Sequence, residues 1–185
     1  MNIDSAINFG SKILNNKFIP NAKLDSEILM AKTINADRNY ILLNSKNSLS
    51  KNDFKKFYML IKERSIGNPV AYLTNKKFFW NSEFYVTNAT LIPRPDTELV
   101  VENILKLTKQ KNKLNILDIG IGSGCILLSV LKERKDFYGT GIDISEKCLN
   151  ISKINAINLE INSRIKFYKS DVDKFNLGKY DLIVS

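Results

Sequence analysis

Asp118-Ile119-Gly120-Ile121-Gly122-Ser123-Gly124 lies between a short apolar run, Leu114 to Asp118, and a second one carrying Leu127, Leu128 and Leu131. The first run reads as a strand and the second as a helix, so the glycines fall at a strand-to-helix turn. Glycine allows such a turn to be tight and lets a ligand lie against main-chain atoms. The helix that follows presents unpaired N–H groups and the positive end of its dipole, a setting that suits an anion. The pattern then repeats. Phe137 to Asp143 reads as a strand, and Ser145 caps a helix carrying Leu149, Ile151, Ile154 and Ile157. Arg164 to Lys169 and Tyr180 to Val184 read as two further strands. Strands alternating with helices predict an α/β domain with a parallel sheet and crossover connections.

The chain upstream has a different period. Ile3, Ala6, Ile7, Ile13 and Leu14 recur at helical spacing, as do Leu24, Ile28, Leu29 and Ala31 after Pro20. Ser50 with Asp53 matches a capping box, Phe54, Phe57, Tyr58 and Ile61 form one apolar stripe, and Gly67-Asn68-Pro69 ends that helix. This is a small helical domain. Next, Phe78-Phe79-Trp80 and Phe84-Tyr85-Val86, split by Asn81-Ser82-Glu83, predict a hairpin. Leu91 to Glu98 holds two prolines in extended geometry leading to a helix start, with Asp96 or Thr97 as N-cap. Leu99, Val100, Ile104 and Leu105 give that helix its buried face, and Lys109 to Lys113 is a short basic hinge.

Composition narrows the chemistry. The chain of 185 residues has no histidine, so histidine catalysis and histidine metal sites are excluded within it. Cys125 and Cys148, the 2 cysteines, form no disulfide framework and have no metal-like spacing; both read as inert packing on helices. No apolar run approaches the roughly 20 residues of a membrane span, and Met1 to Gly10 lacks the build of a secretion signal. The expected setting is cytoplasmic. The net charge of +9 comes mostly from scattered lysines rather than from arginines grouped with aromatics, so nucleic acid is not the expected direct substrate.

The glycine loop discriminates between ligands. A dinucleotide fingerprint needs a third glycine where Cys125 stands. The spacing found, Gly-x-Gly-x-Gly with Asp118 two places before the first glycine, resembles the first motif of class I methyltransferases, which bind S-adenosylmethionine. Asp118, Gly120, Ile121, Gly122, Ser123 and Gly124 are therefore the expected cofactor-binding loop, with the methionine carboxylate as the anion at the helix start. Asp143 ends the next strand about 20 residues on, where an acidic side chain grips ribose hydroxyls. Such a charge-assisted hydrogen bond contributes roughly 1.5–3 kcal/mol. Asp171 and Val172, after the third strand, stand where methyltransferases meet the adenine; the alternative for Asp171 is a solvated strand-end turn.

Leu91-Ile92-Pro93-Arg94-Pro95-Asp96-Thr97-Glu98, the loop from Asp118 to Gly124 and Asp181-Leu182-Ile183-Val184-Ser185 together resemble the peptide chain release factor N(5)-glutamine methyltransferases. Leu24 to Leu29 and Gly67 to Thr74 are similar to that family's helical domain. The resemblance implies a helical release-factor-docking domain over 1–74, a hairpin and linker over 75–96, and the first part of a Rossmann-like methyltransferase domain over 97–185. It implies methylation of the glutamine side-chain amide in the release factors' Gly-Gly-Gln motif, with Pro93, Arg94, Pro95, Asp96 and Thr97 on the substrate side. Three positions depart from the family: Asn75 stands for a glycine, Phe78 for a glutamate and Val172 for an aromatic residue.

In the family an Asn-Pro-Pro-Tyr motif follows a strand ending like Ile183-Val184-Ser185. Its asparagine side chain and a proline carbonyl accept the hydrogens of the substrate amide. No catalytic residue is therefore expected within residues 1–185. The chain alone is expected to be inactive and marginally stable, with its last strand an apolar unpaired edge. Three alternatives compete: an adenine-N6 nucleic-acid methyltransferase, a non-catalytic module that binds the methyl donor or a release factor, and a nicotinamide oxidoreductase.

Overall fold

The computed structural model describes residues 1–185, which divide into two compact units, Met1–Thr74 and Asn75–Ser185. No helix is long and apolar enough to cross a membrane.

The first unit is helical: α1 (Ile3–Asn15), α2 (Ala22–Thr33), α3 (Arg38–Leu43), α4 (Lys51–Ser65) and α5 (Val70–Thr74). Its caps follow from residue type. Asn2, Asp37 and Ser50 each accept a main-chain N–H three residues on, at 2.8, 2.7 and 3.0 Å. Asp53 completes the capping box differently from the usual form, taking the Ser50 hydroxyl at 2.7 Å. The core joins Ile3, Ala6, Ile7 and Leu14 to Leu29, Met30, Phe57 and Ile61. Two expected stripes are corrected. Leu24 is exposed, and α2 instead buries Asp25, Ser26 and Glu27. On α4 Tyr58 is exposed, with its ring 6.2 Å from that of Phe9.

Those buried polar groups are all partnered, which is what makes their burial tolerable. Asp25 meets Nε of Arg64 at 2.7 Å, Glu27 meets Arg38 at 2.7 Å, and the Ser26 hydroxyl donates to the Ile7 carbonyl at 2.8 Å. Gly10 permits this packing: a Cβ there would lie 2.7 Å from Ser26 Oγ and 2.8 Å from Phe57 Cζ.

The second unit opens with an antiparallel hairpin, β1 (Lys76–Phe79) and β2 (Ser82–Tyr85). The connection is Trp80-Asn81, with Trp80 at φ 44°, so Ser82 and Glu83 belong to the strand rather than to the turn. Ahead of the hairpin Asn75 sits at φ 59°, a region glycine enters freely and asparagine tolerates better than most residues.

After the hairpin come α6 (Glu98–Leu107), β3 (Asn115–Ile119), α7 (Cys125–Glu133), β4 (Tyr138–Asp143), α8 (Glu146–Asn158), β5 (Ile165–Lys169) and β6 (Leu182–Val184). The four strands form a parallel sheet in the order β5-β4-β3-β6. From β3 the chain crosses over twice in one direction and then returns to β3's other side. The order therefore reverses beside β3, and ligands of such sheets bind outside the strand ends at that reversal. The loop 120–124 lies there. β6 is an edge strand with Ile183 exposed.

Two helices differ from expectation. Thr97 holds the N-cap position of α6 as expected, but its side chain makes no cap hydrogen bond: Pro95 starts a 3-10 turn after extended Arg94, and Thr97 is already helical. Proline's fixed φ begins the helical course early, where no side-chain cap is needed. The buried residues of α6 are Val101 and Ile104; Leu99 is exposed. On α8, Ile154 and Ile157 are exposed, while Ser152 and Asn155 are fully buried. Asn155 points inward because the main chain of Tyr85 and Ser123 lies opposite it, while the Ser152 hydroxyl donates to the Leu149 carbonyl of its own helix at 3.1 Å.

Candidate functional site

β3 carries Asp118 inside the sheet, paired between Gly141 of β4 and Val184 of β6. Beyond it the chain turns at Gly120, Gly122 and Gly124, with φ values of 73°, 54° and 80°. Residues with side chains rarely adopt these angles. Nothing lies within 4 Å of a Cβ added at Gly120, and only the Gly120 carbonyl, at 3.8 Å, near one at Gly122. The first two glycines thus face open space. Gly124 differs: its added Cβ would lie 2.8 Å from Leu128 Cδ1, so its smallness serves packing.

The loop is pinned to β4. The Gly120 and Ile121 N–H groups both donate to the Ile142 carbonyl at 2.9 Å. Gly122 N–H donates to Asp143 Oδ2 at 3.0 Å, and Ser145 N–H to Asp143 Oδ1 at 2.8 Å. Gly141 lets the loop come this close, because a Cβ there would lie 2.2 Å from Ile121 Cδ1.

A cleft of about 320 Å³ opens over this loop. Asp118, Gly120, Ile121, Gly122 and Ser123 form one wall, and Leu91, Ile92, Pro93, Arg94 and Thr97 the other. Cys125, Ile126 and Ser185 complete the lining. Its size falls in the range of small-molecule sites. A larger cleft of about 580 Å³ lies in the helical unit, among Asp37, Ser50 and Asp53. There the Asp37 and Ser50 side chains each take one helix-end N–H, and no glycine lines the cleft.

Asp118 is the chemically unusual group. It is buried and forms no ion pair. Burial pushes its carboxyl up to about 7; the Leu127 main-chain N–H opposes the rise, and the Asp143 charge adds to it. Burial likewise pushes the Cys125 thiol up to about 11, which leaves it protonated and unreactive at neutral pH.

Not all the expected site residues meet in the cleft. Asp143 is at the loop, yet both its oxygens already hold main-chain N–H groups, and it is not among the lining residues. Pro95 and Asp96 are exposed outside the lining. Asp171 caps a short turn by accepting the Asp173 N–H at 3.1 Å, and Val172 is half exposed; neither lines the cleft. Sequence reading had no place for Gly141 or Asn155. Gly141 carries a usable signal, a glycine inside a strand, which marks close backbone approach.

A fully parallel sheet reversing beside β3, with a glycine cradle at the reversal, defines a Rossmann-like domain, and the family match over residues 95–185 makes it one of the methyltransferase class. Two family models match the chain, "PrmC N-terminal domain" over residues 5–74 and "Methyltransferase small domain" over residues 95–185. The chain belongs to the release factor glutamine methyltransferase family.

Release factor glutamine methyltransferases from Buchnera aphidicola (subsp. Schizaphis graminum) and Leptospira interrogans are each 39% identical to it, covering 89% and 90% of this chain and 59% and 61% of their own lengths. One from Koribacter versatilis is 33% identical over 100% of this chain and 66% of its own. The chain thus spans about three fifths of the length of the curated relatives it matches. Among solved structures, an RNA methyltransferase from Salinibacter ruber in complex with S-adenosyl-L-homocysteine is similar over 50% of this chain and 58% of its own, with 21% identity and a TM-score of 0.44.

Proposed function

We propose that this chain binds S-adenosylmethionine in the cleft over residues 118–123 and belongs to an enzyme that methylates the glutamine side-chain amide of peptide chain release factors. The observation that carries the reading is the open glycine cradle beside a buried carboxylate with no cation of its own. A free amino acid's two charged groups complement those features. The ammonium suits Asp118, whose carboxyl ionises more readily once a cation arrives, and the carboxylate suits main-chain N–H groups at the start of α7. The donor supplies an electrophilic methyl group on a sulfonium.

The chain's own residues have separate tasks in this proposal. Gly120, Ile121, Gly122, Ser123 and Gly124 shape the cradle, and Asp143 holds the loop while its remaining lone pairs accept ribose hydroxyls. Asp171 and Val172 serve the adenine only if the turn after β5 folds over toward the cleft. Pro93, Arg94 and Thr97 bound the acceptor side; Pro95 and Asp96 set the course of that segment from outside it. The helical unit docks the release factor.

A glutamine amide nitrogen is a weak nucleophile because its lone pair is delocalised into the carbonyl. Its site must orient the nitrogen and accept its hydrogens. Ser185 borders the cleft, so a motif following β6, as the family's Asn-Pro-Pro-Tyr does, enters the same space. Residues 1–185 alone then bind the donor without transferring methyl.

Calorimetry with S-adenosylmethionine tests the pocket. For the acceptor, mass spectrometry of a release factor and of RNA, each incubated with the protein extended past Ser185, should find the added methyl on the Gly-Gly-Gln glutamine. Methyl on RNA adenine alone would overturn the acceptor assignment, and methyl transfer by residues 1–185 would overturn the division of labour.

A further inference from the structure

Asn155 sits on α8 with its side chain fully buried. Its Oδ1 accepts the Tyr85 main-chain N–H at 2.7 Å, while Nδ2 donates to the Tyr85 carbonyl at 3.0 Å and to the Ser123 carbonyl at 2.9 Å. Both amide hydrogens and the oxygen are therefore engaged. Tyr85 ends β2, and the side-chain amide takes both its main-chain groups much as a neighbouring strand would. Ser123 belongs to the glycine loop and lines the cleft. One buried amide thus ties the loop wall to the strand that leads into the opposite wall.

The segment after Tyr85 is held by the same helix a second time. Cys148 Sγ contacts the Ala89 carbonyl at 3.1 Å. At the segment's far end Glu98 takes the Trp80 main-chain N–H at 2.8 Å, returning the chain to the hairpin turn. Leu91, Ile92, Pro93, Arg94 and Thr97 lie between these anchors.

We infer that Asn155 is a positioning residue that couples the two walls of the cleft, so that a ligand ordering the glycine loop also orders the hairpin end and the acceptor-side segment. This rests on the cleft being the S-adenosylmethionine site. The coupling runs through hydrogen bonds made by one fully buried side chain, so that losing the amide breaks the links to both segments at once.

Amide hydrogen exchange at Tyr85 tests the coupling in the unmodified chain, because that N–H is bonded to Asn155. Saturating S-adenosylmethionine should slow Tyr85 exchange about fivefold beyond any change at Tyr138, whose N–H bonds the Leu114 carbonyl at the other end of the sheet. Asn155→Ala should weaken donor binding about tenfold and abolish the Tyr85 response at saturating donor. Donor binding by calorimetry with Tyr85 and Tyr138 changing alike overturns the coupling and leaves the cofactor assignment standing. No binding by the unmodified chain overturns both. If Asn155→Ala does not fold, the exchange comparison on the unmodified chain decides by itself.

Discussion

In the helical unit the buried Asp25 carboxylate lies 2.7 Å from Arg64 Nε, and Arg64 also donates to the Asn68 carbonyl at 3.2 Å. In the α/β unit the more deeply buried Asp118 has no cation, and its carboxyl is pushed up to about 7. The first carboxylate is part of a closed set of interactions, and removing either member leaves a charge stranded. The second is held in an unfavourable state, which an incoming cation would relieve. A buried pair holds a fold together; a buried single charge marks a place for something else.

The largest expected effect breaks the closed pair. Asp25→Ala should destabilise the chain by about 3 kcal/mol in chemical denaturation, since Arg64 loses its partner in a mostly buried site. A loss under about 1 kcal/mol would mean that water replaces the carboxylate, and the contrast with Asp118 would weaken.

Two glycines give the next effect, and they separate structure from site. Gly10→Ala should cost about 2–3 kcal/mol, because the new Cβ meets Ser26, Phe57 and Ile61 at 2.7 to 2.9 Å, with donor affinity unchanged. Gly141→Ala presses on Ile121, a cleft residue, so a similar or smaller loss of stability should come with weaker donor binding. Equal donor affinity in both variants would detach Ile121 from the site.

Asp118→Asn should act in the opposite direction on stability. At pH 8 it removes a charge the interior disfavours and should stabilise by about 1–2 kcal/mol, while weakening donor binding at least about tenfold. The pH dependence carries the same sign. Folded Asp118 ionises near 7 and the unfolded residue near 3.8, so the folded state holds the extra proton between those values. Stability should therefore fall as pH rises from about 4 to 7 and level off above. Donor affinity should rise over the upper part of that window as the carboxylate ionises. Parallel trends in the two would remove Asp118 from the site. The smallest effect belongs to a surface pair: Lys106→Ala, which breaks an exposed contact with Glu102, should change stability by less than about 0.5 kcal/mol.

Legibility in the sequence followed the range of the forces involved. The strand-loop-helix course around residues 114–131 and the Ser50 and Ser145 caps were readable, since each depends on near neighbours in the chain. Failures fell where a distant group intervened. The apolar residues read for α8 are Leu149, Ile151, Ile154 and Ile157; the first two are buried, but the last two are exposed, and the main chain of Tyr85, 70 residues from Asn155, draws that residue inward instead. The α2 stripe missed Asp25 for the same reason, its partner Arg64 being 39 residues on.

By itself the sequence determined a helical region followed by an α/β region, the family, and a glycine turn that only a few backbone angles can satisfy. The two regions and the turn rest on local sterics and on side-chain period, and the family on the resemblance of its motifs, all of which a linear string records. Tertiary structure alone decided which carboxylates are paired and which is isolated, and which expected residues share a cleft. Burial and charge separation are set by what packs opposite a residue, and no spacing along the chain encodes that distance.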